Sequence, residues 1–304
     1  MKLPTTVIGS YPAKPKEGDV DPFLHAIKIA VDDQLEAGVD LISDGQTRYD
    51  MIRYFTLHLP GFEVKGEKSY IINRILPSEE PFLINDIKWV KSYVGERAKV
   101  KGILTGPITL VFSTSIGKTS PYSGYRDEKL YMDVAEALAV EAERLEKAGV
   151  DAIQIDEPMY SVTPFPTDLA KKAVERIALS VKVPVALHVC GNIKKIFNTL
   201  LDFEGVSILS HAFAAYPENF EVVSRARLED HGKKLGIGCV RTDVNRVEDF
   251  EHILRILRKA VVKLGIENIV VHPDCGLRIL DREVAKEKLK LMVKAARRIA
   301  EEEL

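Results

Sequence analysis

The feature that most constrains the fold of this chain is a short unit that recurs along it. Each unit is an amphipathic helix, a glycine and a brief apolar run that ends in a polar residue, and the clearest copies have their glycine at Gly38, Gly149 and Gly265. Glycine often ends a helix because it adopts the left-handed conformation at little cost. The runs that follow are apolar on both faces, which is typical of strands covered on both sides.

Eight apolar runs of this kind occur, and helical patterns lie between most of them. Alternating strands and helices indicate a parallel sheet. Eight units within 304 residues fit a (β/α)8 barrel, or TIM barrel, better than an open sheet. A doubly wound sheet is the main rival, but no G-x-G-x-x-G sequence follows an early strand. The runs are Thr5–Gly9, Val39–Asp44, Val100–Thr105, Ala152–Asp156, Val185–His188, Val206–His211, Leu235–Val240 and Ile269–His272.

We therefore predict an α/β protein with one barrel domain over residues 1–304. The stretch at about 62–99 fits the repeating pattern poorly, so we expect an excursion there between the second and third strands, with a helix over Ile84–Tyr93. Elsewhere the helical pattern is clearest over Pro22–Ala37, Lys129–Ala148, Asp168–Val181, Val247–Leu264 and Asp281–Glu303.

Charge and composition exclude several classes of protein. Lys and Arg number 43 against 45 Asp and Glu, which gives a net charge of -2 and argues against a protein that coats nucleic acid or anionic membrane. No apolar run approaches the roughly 20 residues that span a bilayer. The segment Met1–Ser10 lacks the layout of a signal peptide, so we expect a cytoplasmic protein with no nucleic-acid or membrane partner. Three cysteines do not make a disulfide framework.

Polar residues stand at nearly every predicted strand end. In a barrel of this kind the catalytic groups come from the carboxyl-terminal ends of the strands. A purely structural barrel has no need of ligand-capable side chains there, so this pattern predicts an active site at that rim. The residues include Ser10, Asp44, Gln46, Thr105, Asp156, His188, Cys190, Ser210, His211, Asp243 and Cys275.

His188 and Cys190 form an H-x-C pair directly after a strand, and residues i and i+2 of an extended segment point to the same side. The pair alone fits a buried core histidine and cysteine as well as a metal site. Cys275 favours the metal, because it follows the eighth strand at the same rim. Imidazole and thiolate ligands suit zinc, and three of them leave one position open, as in catalytic zinc sites. Such a site can activate a thiol for attack on a methyl group, or a water for hydrolysis.

Five motifs in series resemble the cobalamin-independent methionine synthase family, in a short form with the C-terminal catalytic domain only. Each motif alone is weak, but together they cover essentially the whole chain in order. The motifs lie at Thr5–Pro12, Leu104–Thr109, Ile153–Pro158, His188–Cys190 and His272–Leu277.

The resemblance implies a zinc-dependent methyltransferase that converts homocysteine to methionine. It implies that Ile8 and Ser10 hold the homocysteine carboxylate and backbone, and that Asp156 binds the ammonium group through a charge-assisted hydrogen bond. Gln46 stands where the family has an acidic residue that also contacts the amino acid. Its neutral amide still accepts a hydrogen bond, but one charge contact is lost. The implied zinc ligands are His188, Cys190 and Cys275.

Two positions depart from the family near the reacting groups. Ala212 stands where the resemblance places a fourth, acidic zinc ligand, and alanine cannot bind a metal. Either the adjacent His211 substitutes there or the site has three protein ligands; a strand-end histidine bonded to backbone is the structural alternative. Asp243 replaces a histidine that the family uses to move protons. We predict that it accepts a proton or anchors substrate, with a cap on the following helix as the alternative.

The methyl donor is the other point of departure. The family's tryptophan after the G-P-[VI]-T motif, associated with the folate ring, is replaced in the stretch Leu110–Ser113, and the single tryptophan is Trp89. Flat pterins need an aromatic or apolar face to stack on. We therefore expect methylcobalamin, delivered on a corrinoid protein, rather than methyl-tetrahydrofolate.

Three other functions compete with methionine formation. A corrinoid:thiol methyltransferase with another acceptor, of the coenzyme M type, shares the barrel and the metal motif, but Asp156 and Ser10 favour an amino-acid acceptor over a sulfonate. A lyase related to uroporphyrinogen decarboxylase shares the architecture without needing zinc thiolates. A non-enzymatic adaptor for a corrinoid protein requires the site to be vestigial.

Overall fold

Parallel strands form a closed ring at the centre of the molecule. The computed structural model describes residues 2–162 and 166–303. Seven strands pair in parallel in the order β1-β4-β6-β7-β8-β9-β10, and β2, β3 and β5 form a separate small sheet. In chain order the strands are β1 (Leu41–Ile42), β2 (Phe62–Lys65), β3 (Lys68–Ile71), β4 (Lys99–Thr105), β5 (Ser115–Ile116), β6 (Ala152–Asp156), β7 (Val185–His188), β8 (Val206–Ala212), β9 (Lys234–Gly238) and β10 (Ile269–His272).

Thr5 and Thr6 close the ring. Thr5 bridges Val271 of β10 and Thr6 bridges Leu41 of β1, both in parallel. The backbone N–H of Thr6 donates to Val271 O at 2.8 Å, and that of Leu41 donates to Thr5 O at 3.1 Å. These residues fill the position of the first barrel strand, and the predicted (β/α)8 barrel is confirmed.

Helices surround the ring, and α1, α3, α5, α10 and α11 each contact a neighbouring helix. The bounds of α1 follow from local chemistry, since Asp21 caps its first turn and Gly38 ends it with φ of 79°. No described helix is both long and apolar enough to span a lipid bilayer. The helices are α1 (Pro22–Ala37), α2 (Arg53–His58), α3 (Ile84–Val94), α4 (Pro107–Phe112), α5 (Glu128–Lys147), α6 (Pro158–Val162), α7 (Thr167–Ala178), α8 (Phe197–Leu201), α9 (Arg225–Asp230), α10 (Phe250–Leu264) and α11 (Arg282–Glu302).

The stretch predicted to be an excursion contains two different parts. The antiparallel pair β2–β3, with β5 alongside, stands apart from the barrel sheet. The helix α3, close to the predicted Ile84–Tyr93, instead contacts α1 and α5. It therefore belongs to the helical layer, and the departure from the repeating pattern is confined to the small sheet and the short helix α2.

The inner face of the ring carries polar residues near its carboxyl-terminal end. Along β6, Gln154 and Asp156 share one face, while Ile153 and Ile155 on the other face join the apolar core. Gln154 accepts a hydrogen bond from Lys101 of the neighbouring strand β4, across the inside of the barrel. The apolar core thus lies between strands and helices, and the barrel interior supplies buried polar groups below the rim.

A buried carboxylate joins the first and last helices. Asp33 of α1 is 1% exposed and receives hydrogen bonds from Tyr11 Oη at 3.0 Å and from the Arg282 guanidinium at 2.7 and 3.0 Å. Lys286 Nζ lies 3.3 Å from the same carboxylate. Burial alone would raise the pKa of Asp33, but the hydrogen bonds from Arg282 and Tyr11 outweigh it and lower the pKa.

Asp33→Asn is expected to lower the free energy of unfolding by about 1–2 kcal/mol, because it weakens the hydrogen bonds to a buried carboxylate while the partly exposed Arg282 stays hydrated. Since folding lowers the pKa of Asp33, the loss is present above the unfolded pKa of about 4 and shrinks as the pH falls through the folded value. Urea unfolding at several pH values measures it. Glu36→Gln, on the exposed side of α1, is the control and should cost clearly less; equal losses would contradict this account.

Candidate active site

A pocket of about 350 Å³ opens at the carboxyl-terminal ends of the barrel strands. That volume lies at the lower end of the range for small-molecule sites. Loops after the first strand position and after β1, β6, β7, β9 and β10 all contribute to its wall. The pocket brings together most of the site residues predicted from the sequence, which are Ile8, Ser10, Gln46, Asp156, His188, Asp243 and Cys275.

His188 and Cys275 line this pocket, and Cys190 lies next to them. One ligand atom of each lies within 4.8 Å of the others, so a single metal ion could contact all three. His188 is the last residue of β7, and Cys190 follows two residues later. Cys275 comes from the loop after β10, whose strand lies elsewhere in the ring. The ring therefore brings residues from two distant segments to one point.

The His188 ring is oriented for a metal by a chain of hydrogen bonds. His272 Nδ1 lies 2.6 Å from Pro273 O, so Nδ1 carries the proton and Nε2 accepts from Ser210 Oγ at 2.7 Å. Ser210 Oγ in turn lies 3.4 Å from His188 Nδ1. In a neutral ring this direction puts the proton on Nδ1 and the lone pair on Nε2, an atom that is buried without a hydrogen-bond partner. Burial lowers the pKa of His188, but Cys275 and Asp156 outweigh it and raise the pKa, so without a metal ion the protonated ring is favoured, and a metal ion would displace its proton. A buried lone pair beside two thiols fits a metal ion.

The two thiols share one hydrogen bond. It lowers the pKa of Cys190 against the opposing effect of burial, and together with burial it raises the pKa of Cys275 well above its ordinary value. A cation is required to ionise both sulfurs together, because two adjacent thiolates repel each other. One imidazole and two thiolates are the donor set that suits zinc. Among residues 2–162 and 166–303, this group has no fourth His, Cys, Asp or Glu member.

Oxygen atoms converge above Gly9, beside the metal-binding group. A Cβ on Gly9 would clash with Gln46 Oε1 and would lie 3.6 Å from Asp156 Oδ2, so both oxygens lie close together over the glycine. Burial raises the pKa of Asp156, while the nearby His188 and a hydrogen bond from Gln154 act in the opposite direction. Two oxygens at this corner, one of them a carboxylate, suit a cationic group.

The segment with Ser10 is joined directly to the segment with Cys275. Ser10 O accepts a hydrogen bond from Leu277 N at 2.6 Å, and Ser10 Oγ would lie 2.6 Å from a Cβ on Gly276. Only glycine permits this approach. The contact fixes the oxygen-lined corner of the pocket relative to the metal-binding group.

His211 lies apart from the pocket, although the sequence offers it as a ligand or catalytic residue. Its neighbour Ser210 faces the barrel interior, so His211 points outwards, where its ring packs edge-on against Phe197 of α8 at 6.1 Å. Its Nδ1 is 2.9 Å from Val189 O, and burial lowers its pKa to about 3. To replace the acidic ligand missing at Ala212, the ring would have to leave the helical layer.

Asp243 lies at the rim of the pocket, as the sequence predicts, but its carboxylate forms an ion pair with Arg241. Its carboxylate accepts two hydrogen bonds from Arg241, at 2.9 and 2.6 Å. The Arg241 guanidinium lowers the pKa of Asp243, which makes it a weak proton acceptor. It does not cap the next helix, because Asp249 accepts the hydrogen bond at the start of α10.

Arg278 is a pocket residue that the sequence reasoning missed. Its guanidinium donates to the backbone oxygens of Gln46 and Tyr49, both of which have positive φ, of 43° and 49°. Arg278 thus holds the loop that presents the Gln46 side chain. The available signal was its position in the strand-end motif, two residues after Gly276.

Comparison with known proteins identifies the family. The family model described as "Cobalamin-independent synthase, Catalytic domain" matches residues 3–298. The chain belongs to this family. The methionine synthase of Methanothermobacter marburgensis is 42% identical, over 96% of this chain and 98% of that protein. The methionine synthase of Methanocaldococcus jannaschii is 39% identical, over 97% of this chain and 99% of that protein.

A solved structure shares the fold of this cobalamin-independent synthase. The B12-independent methionine synthase of Shewanella sp. W3-18-1, solved with selenomethionine, has a TM-score of 0.85 and 24% identity over 99% of both chains. Membership of the family makes the chain a methyltransferase of the methionine synthase type.

Gly236→Ala is expected to lower the free energy of unfolding by about 1–3 kcal/mol through overpacking. The new Cβ would lie 2.5 Å from His272 Nε2 and 3.1 Å from Ser210 Cα, which disturbs the chain of hydrogen bonds to His188. Denaturant unfolding measures the loss. In a His272→Ala background the same substitution should cost clearly less, and an unchanged cost would show that the His272 ring is not what Gly236 accommodates.

Proposed function

We propose that this cobalamin-independent synthase transfers a methyl group to the thiol of homocysteine and so forms methionine, on a zinc ion held by three residues. The observation that carries the proposal is a metal-binding group and an oxygen-lined corner in one pocket. The group consists of His188, Cys190 and Cys275. The corner matches the amino-acid end of homocysteine, and the metal group matches its sulfur. The near full-length similarity to methionine synthases supports the same reaction.

The amino-acid end of the substrate is bound by the chain's own polar groups. Asp156 Oδ2 and Gln46 Oε1 accept hydrogen bonds from the ammonium group, and the Asp156 bond is charge-assisted. Ile8 and Ser10 line the same part of the pocket and hold the carboxylate and backbone of the amino acid. An ammonium partner favours an amino-acid acceptor over a sulfonate thiol of the coenzyme M type.

The chain presents three metal ligands and leaves room for a fourth. Zinc, when bound, lowers the pKa of a coordinated thiol, so that a substrate sulfur can be nucleophilic near neutral pH. The His188 Nε2 lone pair and the two cysteine sulfurs would hold the ion, while Ala212 supplies no ligand. In the transfer the sulfur lone pair forms the new S–C bond. The donor's bond to the methyl carbon breaks with its electron pair on the donor, and the thiol proton goes to solvent.

We further propose a methylcorrinoid as the donor, in which cobalamin is a substrate and not a resident cofactor. The helix α4 after the G-P-I-T motif carries no tryptophan, and the chain's only one, Trp89, stacks on Tyr93 of α3 at 4.9 Å. The indole is thereby placed in the helical layer rather than at the pocket. A folate ring would lack that stacking surface, whereas a corrinoid carried by a partner protein needs only access to the sulfur.

Cys190→Ala and Cys275→Ala are each expected to weaken zinc binding by more than about 100-fold. The reason is that removing a residue that only hydrogen-bonds to a metal ligand already lowers the metal affinity about 10- to 100-fold. The wild type should hold about one zinc per chain, measured by metal analysis and by competition with a chelator. Cys239→Ala is the matched control, since Cys239 is fully buried outside the group and should leave zinc binding unchanged. Equal zinc content in all variants would contradict the assigned ligands.

Zinc-loaded protein mixed with homocysteine should form methionine from methylcobalamin and not from methyl-tetrahydrofolate, because the tryptophan that the family resemblance associates with the folate ring is replaced in α4. Mass spectrometry of the product measures this, with Cys275→Ala as the inactive control. Turnover with methyl-tetrahydrofolate would contradict the proposed donor but would still agree with homocysteine as the acceptor. Methylation of coenzyme M in preference to homocysteine would contradict the acceptor.

A further inference from the structure

A row of buried polar residues lies inside the barrel beneath the pocket. Lys101 on β4 and Gln154 on β6 are 2% and 1% exposed, and Asp156 at the end of β6 is 4% exposed. An ammonium group in a protein interior is unfavourable, and well-packed apolar residues of similar size are often at least as stable. Burial lowers the pKa of Lys101 to about 7, with the charge of Asp156 opposing the shift. Packing alone therefore does not explain why a lysine occupies this buried position.

The hydrogen bonds of the row run in one direction. Lys101 Nζ donates to Val7 O and, at 2.5 Å, to Gln154 Oε1. Gln154 Nε2 then donates to Ile8 O at 2.9 Å and to Asp156 Oδ1 at 2.6 Å. With its oxygen on the lysine, the amide has both N–H groups free for these two acceptors. A reversed amide would set its oxygen against a carbonyl and a carboxylate, so Lys101 fixes the orientation of Gln154.

The two carboxylate oxygens of Asp156 face different partners. Oδ1 accepts from Gln154 below the pocket, while Oδ2 faces the space above Gly9. The same row holds the backbone of Val7 and Ile8, which leads directly to Ser10. The row therefore fixes Asp156 and the segment through Ser10 relative to each other. These are two walls of the oxygen-lined corner, in which the amino-acid end of the substrate is proposed to bind.

We propose that Lys101 and Gln154 are positioning residues that orient Asp156 to bind the ammonium group of an amino-acid substrate, and that they also hold the adjacent Ile8–Ser10 segment. The inference rests on the proposed function, because it takes homocysteine as the ligand. Neither residue touches the substrate or the metal ligands: Lys101 acts through Gln154, and Gln154 acts through Asp156 and Ile8 O. Their effect is accordingly largest at the ammonium group, smaller at the carboxylate, and absent at the sulfur end.

Binding of two ligands to zinc-loaded protein tests the proposal without a methyl donor. The ligands are homocysteine and 4-sulfanylbutanoate, which has the same thiol and carboxylate but no ammonium group. In Lys101→Met and Gln154→Glu, calorimetry should show a Kd for homocysteine raised about 10- to 100-fold, as expected for a weakened hydrogen bond to a charged group. The Kd for 4-sulfanylbutanoate should rise clearly less, because this ligand lacks the ammonium group and depends only on the Ile8–Ser10 segment and the metal. The zinc content should match the wild type.

Lys233→Met is the matched control. Lys233 is also a buried lysine whose Nζ donates to two acceptors, Phe203 O and Val206 O, each at 2.6 Å, but it precedes β9 at the opposite end of the barrel. Its removal should change the affinity for the two ligands equally or not at all. An equal loss for both ligands in the Lys101 and Gln154 variants, or no loss, would overturn the proposal.

A crystal structure of the wild type with methionine tests the same geometry without any variant that must fold. The proposal requires the ammonium group on Asp156 Oδ2 while Oδ1 stays on Gln154 Nε2. A complex in which Asp156 turns away from Gln154, or in which the ammonium group binds elsewhere, overturns it. A wild type that binds homocysteine no better than 4-sulfanylbutanoate overturns the ammonium contact itself, and with it this inference. A wild type that binds neither thiol contradicts the proposed function as a whole.

Discussion

Closure of the barrel at Thr5 and Thr6 is the constraint on which the rest of the structure depends. Two backbone hydrogen bonds, from Thr6 to Val271 O and from Leu41 to Thr5 O, join the last strand to the first strand position and that position to β1. The carboxyl-terminal ends of all the strands then face one rim. The loop with Cys275 is thereby brought against Ser10, and the metal-binding group and the amino-acid corner become parts of one pocket. An open sheet would leave these segments at separate edges.

Hydrogen-bond donors and acceptors alternate with depth below that rim. Lys101 supplies hydrogen-bond donors inside the barrel, Asp156 supplies carboxylate acceptors above it, and the substrate ammonium is proposed to bind above that. Gln154 lies between Lys101 and Asp156: its oxygen accepts from the lysine, and its N–H group donates to the carboxylate. Each charged group therefore has an opposite charge or a directed hydrogen bond next to it, which is the condition for keeping charges out of water. The same arrangement explains why the barrel interior is polar just where apolar packing would otherwise be favourable.

The position of much of this candidate site could be predicted from sequence, whereas His211 and the buried row beneath the pocket could not be placed. The runs Ala152–Asp156, Val185–His188 and Ile269–His272 match the observed strands, because β-branched apolar residues followed by polar ones mark a buried strand with a functional end. His211 shows the limit: adjacent strand residues face opposite sides, so Ser210 points to the interior and His211 does not. The sequence could not show which of the two residues, Ser210 or His211, faces the barrel interior, because both are polar. Nor could it show that Lys101 and Gln154 meet, since their pairing depends on strand register.

The missing fourth ligand changes the charge balance of the proposed metal site. A neutral His188 with two thiolates carries two negative charges, which equals the charge of one zinc ion. The acidic ligand that the family resemblance places at Ala212 would add a third. Without it, a bound zinc ion and its three ligands would carry no net charge, so a substrate thiol there would lose its proton more readily, although a thiolate with a lower pKa is also less nucleophilic. In the proposed reaction the residue at position 212 would therefore shift the balance towards thiolate formation and away from intrinsic nucleophilicity.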